Sequence, residues 1–189
     1  MKRLNILIIG LFIFSINCFC QIIDIKRDKY WIDGGFGNYY STGKTDGFTR
    51  NLCVNMIIDS TIYKIRLNNY QEFQLWGIDP VEQFNSLGIL IGKGYSSKYI
   101  QLYFSAGFGI IDGVKRGKLL YTDIGQSWFS FNADHYEKDR FSTLSIPIEV
   151  DLLLKPIKYV GVGVSFYCDL NYKRPMYGII FKFAIGKLR

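Results

Sequence analysis

Apolar and polar residues alternate one by one along most of the chain. The cleanest run sets Leu144, Ile146, Ile148, Val150, Leu152 and Leu154 against Thr143, Ser145, Pro147, Glu149 and Asp151. A period of two belongs to a β-strand whose two faces meet different surroundings. The same period returns in Val160, Val162, Val164, Phe166, Cys168 and Leu170, in Tyr177, Ile179, Phe181, Phe183 and Ile185, and upstream in Ile100, Leu102, Phe104, Ala106, Phe108 and Ile110. The amino-terminal half is rougher. It still yields a Gly-rich strand over 30–40, one over 47–58 with Leu52, Val54, Met56 and Ile58 on its apolar face, one over 61–69 carrying Tyr63, Ile65 and Leu67, and one over 84–93. No helical period appears in these stretches. The pattern predicts an all-β fold of eight strands.

The connections predicted between these strands are 41–46, 59–60, 70–83, 94–98, 112–140, 155–156 and 171–174, so long and short ones largely alternate. With an even number of strands both termini lie at one end. The short turns then gather there and the long loops face the other way, the asymmetry of bacterial outer-membrane barrels.

Ahead of the strands stands a different segment. Met1-Lys2-Arg3 is positive, residues 4–16 are apolar and uncharged, and Asn17-Cys18-Phe19-Cys20 is short and polar before Gln21. That is the layout of a secretory signal peptide over 1–20, cleaved after Cys20, which leaves 21–189 as one mature domain. An uncleaved anchor would need about 20 apolar residues, and lipidation at Cys18 or Cys20 would need a leucine and small-residue run that the preceding residues lack. Cleavage lowers the formal charge from +7 to +5 and leaves two of four cysteines, Cys53 and Cys168. An exported chain permits a disulfide. These two fall on strands that are not neighbours, one side chain inward and one outward, so free thiols are expected.

Alternation alone does not say which parity faces in. A soluble, lipocalin-like binding barrel would turn the apolar rows inward, a membrane barrel outward. Composition decides. The polar parity is rich in glycine (Gly35, Gly37, Gly88, Gly92, Gly107, Gly109, Gly161, Gly163) and sparse in charge. Glycine weakens a strand unless packing demands it, and the narrow lumen of an eight-stranded barrel demands it, since small residues there leave room for a few long polar ones. Tyr30 and Trp31 at one end, with Tyr39, Tyr40 and Tyr177 at the other, are expected to form interfacial girdles. Of 189 residues, 17% are aromatic, 19 are glycine, and alanine occurs only at Ala106, Ala133 and Ala184. That disfavours disordered and helix-rich alternatives.

The Gly-rich opening Tyr30-Trp31-Ile32-Asp33-Gly34-Gly35-Phe36-Gly37, the Leu90-Ile91-Gly92-Lys93 strand end, Gly107-Phe108-Gly109 and the Gly-alternating closing strands resemble the small bacterial outer-membrane β-barrel domain family, in the OmpA/OmpX-like size class. The resemblance covers nearly all of the mature chain. It implies an eight-stranded antiparallel up-and-down transmembrane β-barrel, set in outer-membrane lipid and glycolipid and inserted by the barrel-assembly machinery. Such barrels often end on an aromatic residue, whereas this chain ends Gly186-Lys187-Leu188-Arg189.

The inward parity carries Asp33, Lys64, Arg66, Glu149, Asp151, Asp169 and Lys182. In a narrow lumen these charges are expected to pair into a polar network that plugs it, because an unpaired buried charge is costly. The competing reading is a polar pore. His135, the only histidine, falls in the 112–140 connection near Ser127, Ser130, Asp134, Glu137 and Asp139, which admits a lipid-modifying enzyme with a base-activated nucleophile as the alternative. Loops are rich in Ser, Asp and Glu in any case, so a non-enzymatic structural or surface role is expected. Lys115, Arg116 and Lys118 open the same connection and are candidate contacts to glycolipid phosphate. One histidine and scattered thiols do not make a zinc site, no Gly-rich phosphate loop precedes a helix, and no nucleic-acid module is present. No cofactor is expected, and a monomer is.

Overall fold

The computed structural model describes residues 29–42, 46–73, 81–123 and 133–188. The signal-peptide segment 1–20 lies outside them. Eight strands follow one another: β1 (Lys29–Ser41), β2 (Asp46–Ile58), β3 (Thr61–Glu72), β4 (Gln83–Ser96), β5 (Ile100–Asp123), β6 (Ala133–Leu154), β7 (Val160–Asn171) and β8 (Met176–Lys187). Each pairs antiparallel with its sequence neighbours, and β8 closes on β1. The fold is an all-β, antiparallel, up-and-down closed barrel, as the alternation predicts.

The stagger of the ring can be read from one row of partners. Tyr30 faces Met56, then Tyr63, Ile91, Ala106, Ile148, Cys168 and Tyr177, and the row returns to β1 at Tyr40, ten residues beyond its start. A ring closed with that offset must tilt its strands, by about 35–45° in barrels of this kind. The tightest connection is the Asp59-Ser60 turn, where both residues have positive φ (46° and 75°). That is the left-handed pair of a two-residue hairpin whose twist matches its strands.

The apolar rows face outward. Ile32, Val54, Ile65, Ile89, Phe108, Ile146, Phe166 and Phe181 are all exposed, one from each strand. The glycine rows face inward, but for a different reason from the one the sequence suggested. A Cβ on Gly37 would stand 1.9 Å from the Ile179 carbonyl oxygen, and one on Gly107 would stand 1.9 Å from that of Ile89. At these two positions the obstacle is the backbone of the adjoining strand, whereas at Gly88 and Gly161 it is an apolar side chain, of Pro147 and of Leu153. Gly37 and Gly107 let neighbouring strands close up on the concave face of a tightly curved sheet.

Two expectations are corrected. Trp31 and Tyr39 are not girdle residues: they share the parity of Asp33 and lie buried inside, while Tyr30, Tyr40 and Tyr177 are exposed. Nor is 112–140 a long loop, since β5 runs on to Asp123 and β6 starts at Ala133. The two strands continue as a hairpin beyond the ring, with register shifts between Arg116 and Leu119 and between Leu119 and Tyr121. Alternation fades there because both faces leave the wall, so nothing imposes a period of two on the side chains while the backbone pairing persists.

Candidate functional site in the barrel interior and at its outer mouth

The interior is stacked in layers. At the short-turn end Trp31, Ile57, Ile62, Tyr103, Leu153, Ala184 and Leu188 form one apolar cluster. Towards the long-loop end Tyr39, Tyr70, Phe84, Ile111, Phe141, Tyr167, Met176 and Ile180 form a second. Between them lie the seven charges named from the sequence. Six are at least nine-tenths buried and Asp151 is 14% exposed.

Those charges come together around Glu149. Its carboxylate accepts from Lys182 and from Ser165 Oγ (2.6 Å), and lies 3.3 Å from Lys64 Nζ and 3.8 Å from Arg66 Nη1. Asp151 accepts from Lys64 and, at 2.8 Å, from Lys182. Asp33 lies 3.5 Å from Lys182 Nζ and accepts from Trp31 Nε1 (3.2 Å) and Asn55 Nδ2 (2.6 Å). Asp169 pairs with Arg66 and accepts from the Tyr70 hydroxyl. Four carboxylates thus meet three cations, and the surplus negative charge is met by neutral donors. In a medium of low polarity the set as a whole matters more than any single pair, because partners left alone there carry the full cost of desolvation.

At the long-loop end a second set of pairs spans the mouth. Arg174 grips Glu82 through both terminal nitrogens (2.6 Å each), donates from Nε to Ser41 Oγ (2.8 Å) and lies over the Phe84 ring. Arg116 pairs with Glu72, and its backbone N–H donates to Glu82 (3.0 Å). Thr42, Glu82, Lys115, Arg116, Tyr136, Lys173 and Arg174 line a cleft of about 430 Å³. At the opposite end Lys155 Nζ donates to the carbonyls of Ser97 (2.6 Å) and Leu188 (3.4 Å).

The basic run is therefore not a patch on a loop. Lys115, Arg116 and Lys118 sit on β5, where Arg116 turns to Glu72, Lys115 pairs with Asp139 (3.1 Å) and Lys118 is exposed. His135 lies on β6, its ring stacked on Tyr121 with centroids 4.5 Å apart. Asp134 accepts from Thr122 Oγ1 (2.7 Å), and Ser127 and Ser130 lie outside the described residues. Cys53 is buried in the interior, Cys168 sits on the outward row of β7, and both thiols are free.

Several interior residues escaped the sequence reading. Asn51, Asn55 and Asn68 share the inward parity, and counting by twos from Cys53 or Arg66 finds them. Glu72 and Glu82 fall in or beside the predicted 70–83 connection, where no periodicity marks a side.

No protein-family model matches this sequence, and no characterised protein matches it by sequence. Solved structures do. Neisserial surface protein A matches with a TM-score of 0.56 at 8% identity, over 84% of this chain and 96% of that one. The attachment invasion locus protein Ail of Yersinia pestis, solved with the heparin analogue sucrose octasulfate, matches with a TM-score of 0.53 at 13% identity, over 85% and 98%. The fold is thus that of small eight-stranded outer-membrane β-barrel proteins, the OmpA/OmpX-like class that the sequence resembles.

Proposed function

We propose that the protein is an integral barrel of the bacterial outer membrane with a sealed interior and a structural or surface-interaction role, not an enzyme. One observation carries this reading: aliphatic and aromatic rows cover the outside while seven charges are packed within. Water outside would make that partition costly, whereas hydrocarbon outside makes it favourable. A lipocalin-like barrel needs the reverse. Export follows from the signal peptide over 1–20, insertion requires the barrel-assembly machinery, and the unit is a monomer.

The layered interior and the two ion pairs at the mouth support a plug over a pore. The β5–β6 hairpin supplies the surface role. Among the described residues, β5 beyond Val114 and β6 before Ser145 pair with no strand but each other. Apart from the Arg116 N–H, which Glu82 accepts, the two hairpin edges carry no strand among the described residues, and Leu119, Leu120 and Tyr121 are exposed, the features by which a partner strand is added to a sheet.

Five measurements test the reading. An unboiled sample should migrate faster than a boiled one in gel electrophoresis, and carbonate should fail to extract the protein from membranes. Planar bilayers should show negligible conductance; steady channels would replace the plug by a pore. Lys118→Cys on intact cells should react with a membrane-impermeant maleimide while Cys53 and Cys168 do not, and labelling only after lysis would turn the hairpin inward. Against the enzymatic alternative, His135→Ala should leave the cellular glycolipid profile unchanged.

A further inference from the structure

The outward apolar surface is not equally tall all round. Counted from the short turns, β5, β6 and β7 each carry six outward apolar residues, ending at Ile110, Leu144 and Leu170. On β2 and β3 the aliphatic row is interrupted sooner, after Leu52 and Leu67, and only the Phe48–Phe73 ring pair lies farther out. The next outward positions are Arg50 and Asn69, and these lead across to Asn85 and Asp112. Arg50, Asn69, Asn85 and Asp112 are consecutive cross-strand partners, and one step nearer the short turns Leu52, Leu67, Leu87 and Ile110 are partners in the same way. The two rows line a shallow groove of about 460 Å³ on the outer wall.

Each part of this groove has a distinct chemistry. Arg50 is exposed and makes no ion pair among the described residues. Asn69 Nδ2 donates to Asn85 Oδ1 (2.8 Å), which leaves the Asn69 side-chain carbonyl and the Asn85 amide hydrogens unengaged among the described residues. The lower row is wholly aliphatic. A lone arginine at the rim of a membrane protein merely snorkels to water. Here the guanidinium heads a polar row that lies in register above an apolar one.

We infer that this groove seats one phosphorylated glycolipid of the outer leaflet, with its phosphate on Arg50, its sugar hydroxyls along Asn69, Asn85 and Asp112, and an acyl chain over Leu52, Leu67, Leu87 and Ile110. Width selects this occupant. Arg50 and Asp112 are three strand spacings apart, about 14 Å, which a single glycerophosphate head does not span and a phosphorylated disaccharide head does. Charge selects it too, since Arg50 takes an anion whereas Asp112 at the far end takes a hydroxyl donor and would repel a second phosphate. The inference rests on the membrane reading and on the hairpin end facing outward. It also moves the glycolipid contact away from Lys115 and Arg116, which already face carboxylates.

The test uses the full mature barrel in detergent, titrated by native mass spectrometry with monophosphorylated lipid A and, separately, with phosphatidylglycerol. Lipid A should bind one per barrel and about ten-fold more tightly than phosphatidylglycerol. Arg50→Gln should weaken it about ten-fold, the loss of one charge-assisted contact, Arg50→Lys should weaken it less, and Lys115→Gln/Arg116→Gln/Lys118→Gln should bind as the unaltered protein does. Equal binding of both lipids, an Arg50→Gln variant that binds normally, or loss confined to the triple variant would each overturn the inference. The gel shift between unboiled and boiled samples separates the two levels. If the shift persists while Arg50→Gln binds normally, only the glycolipid seat fails, and if it is absent the membrane barrel fails with it.

Discussion

Strand β6 carries two unlike surfaces on alternate residues. Inward, Glu149 and Asp151 each meet other parts of the molecule, Asp151 engaging Lys64 and Lys182, and Glu149 engaging Lys64, Lys182 and Ser165. Outward, Leu144, Ile146, Ile148, Val150, Leu152 and Leu154 form a row whose members have one duty, to be apolar. The inner face is specified residue by residue, the outer face by class. Two environments set the difference: a bilayer accepts any side chain of the right polarity, whereas a closed, charged interior accepts only a matched set.

The sharpest test removes one inner partner. Glu149→Ala should destabilise the barrel by about 3–5 kcal/mol, because Lys64, Arg66 and Lys182 lose the buried carboxylate they share and Ser165 loses its acceptor; urea unfolding in phospholipid vesicles reads it. A cost near zero would mean that these charges are hydrated and that the inner face is as permissive as the outer. On the outer row, Ile148→Arg should cost about 2–4 kcal/mol, the penalty for a cation deep in hydrocarbon, and the same substitution at Ser142 should cost far less. If both cost alike, the outer row does not sit in a bilayer. Gly107→Ala should cost about 1–3 kcal/mol, since its Cβ would press on the Ile89 carbonyl and force adjoining strands apart; the midpoint of the gel shift on stepwise heating follows it. The smallest effect is expected for Ile148→Val, at most about 1 kcal/mol, and a larger one would show that outer side chains also pack in specific ways.

The legibility of the molecule follows the same division. Where a strand has one face in the wall's interior and one outside it, polarity alternates, and β6, β7 and β8 could be read directly from their residues. The inward charges were readable by parity, and so were Trp31 and Tyr39. Aromatic type near a strand end points to an interface, but the odd positions of these two put them with Asp33. Parity says nothing where both faces leave the wall, which is why the outer halves of β5 and β6 passed for loop. Neither could it reveal that Arg116 turns to Glu72, or that Arg174 crosses to Glu82 from a distant part of the chain.

The order of residues along the chain determined the strand count, the two parities and the list of inner charges, because period-two patterning is a local property that each strand records by itself. Which charges pair, that Gly37 and Gly107 yield to a neighbouring backbone, and that Arg50, Asn69, Asn85 and Asp112 stand side by side were decided only by closing the ring. Those facts depend on the offset between strands, and a ten-residue stagger is a property of eight strands together that no single one of them contains.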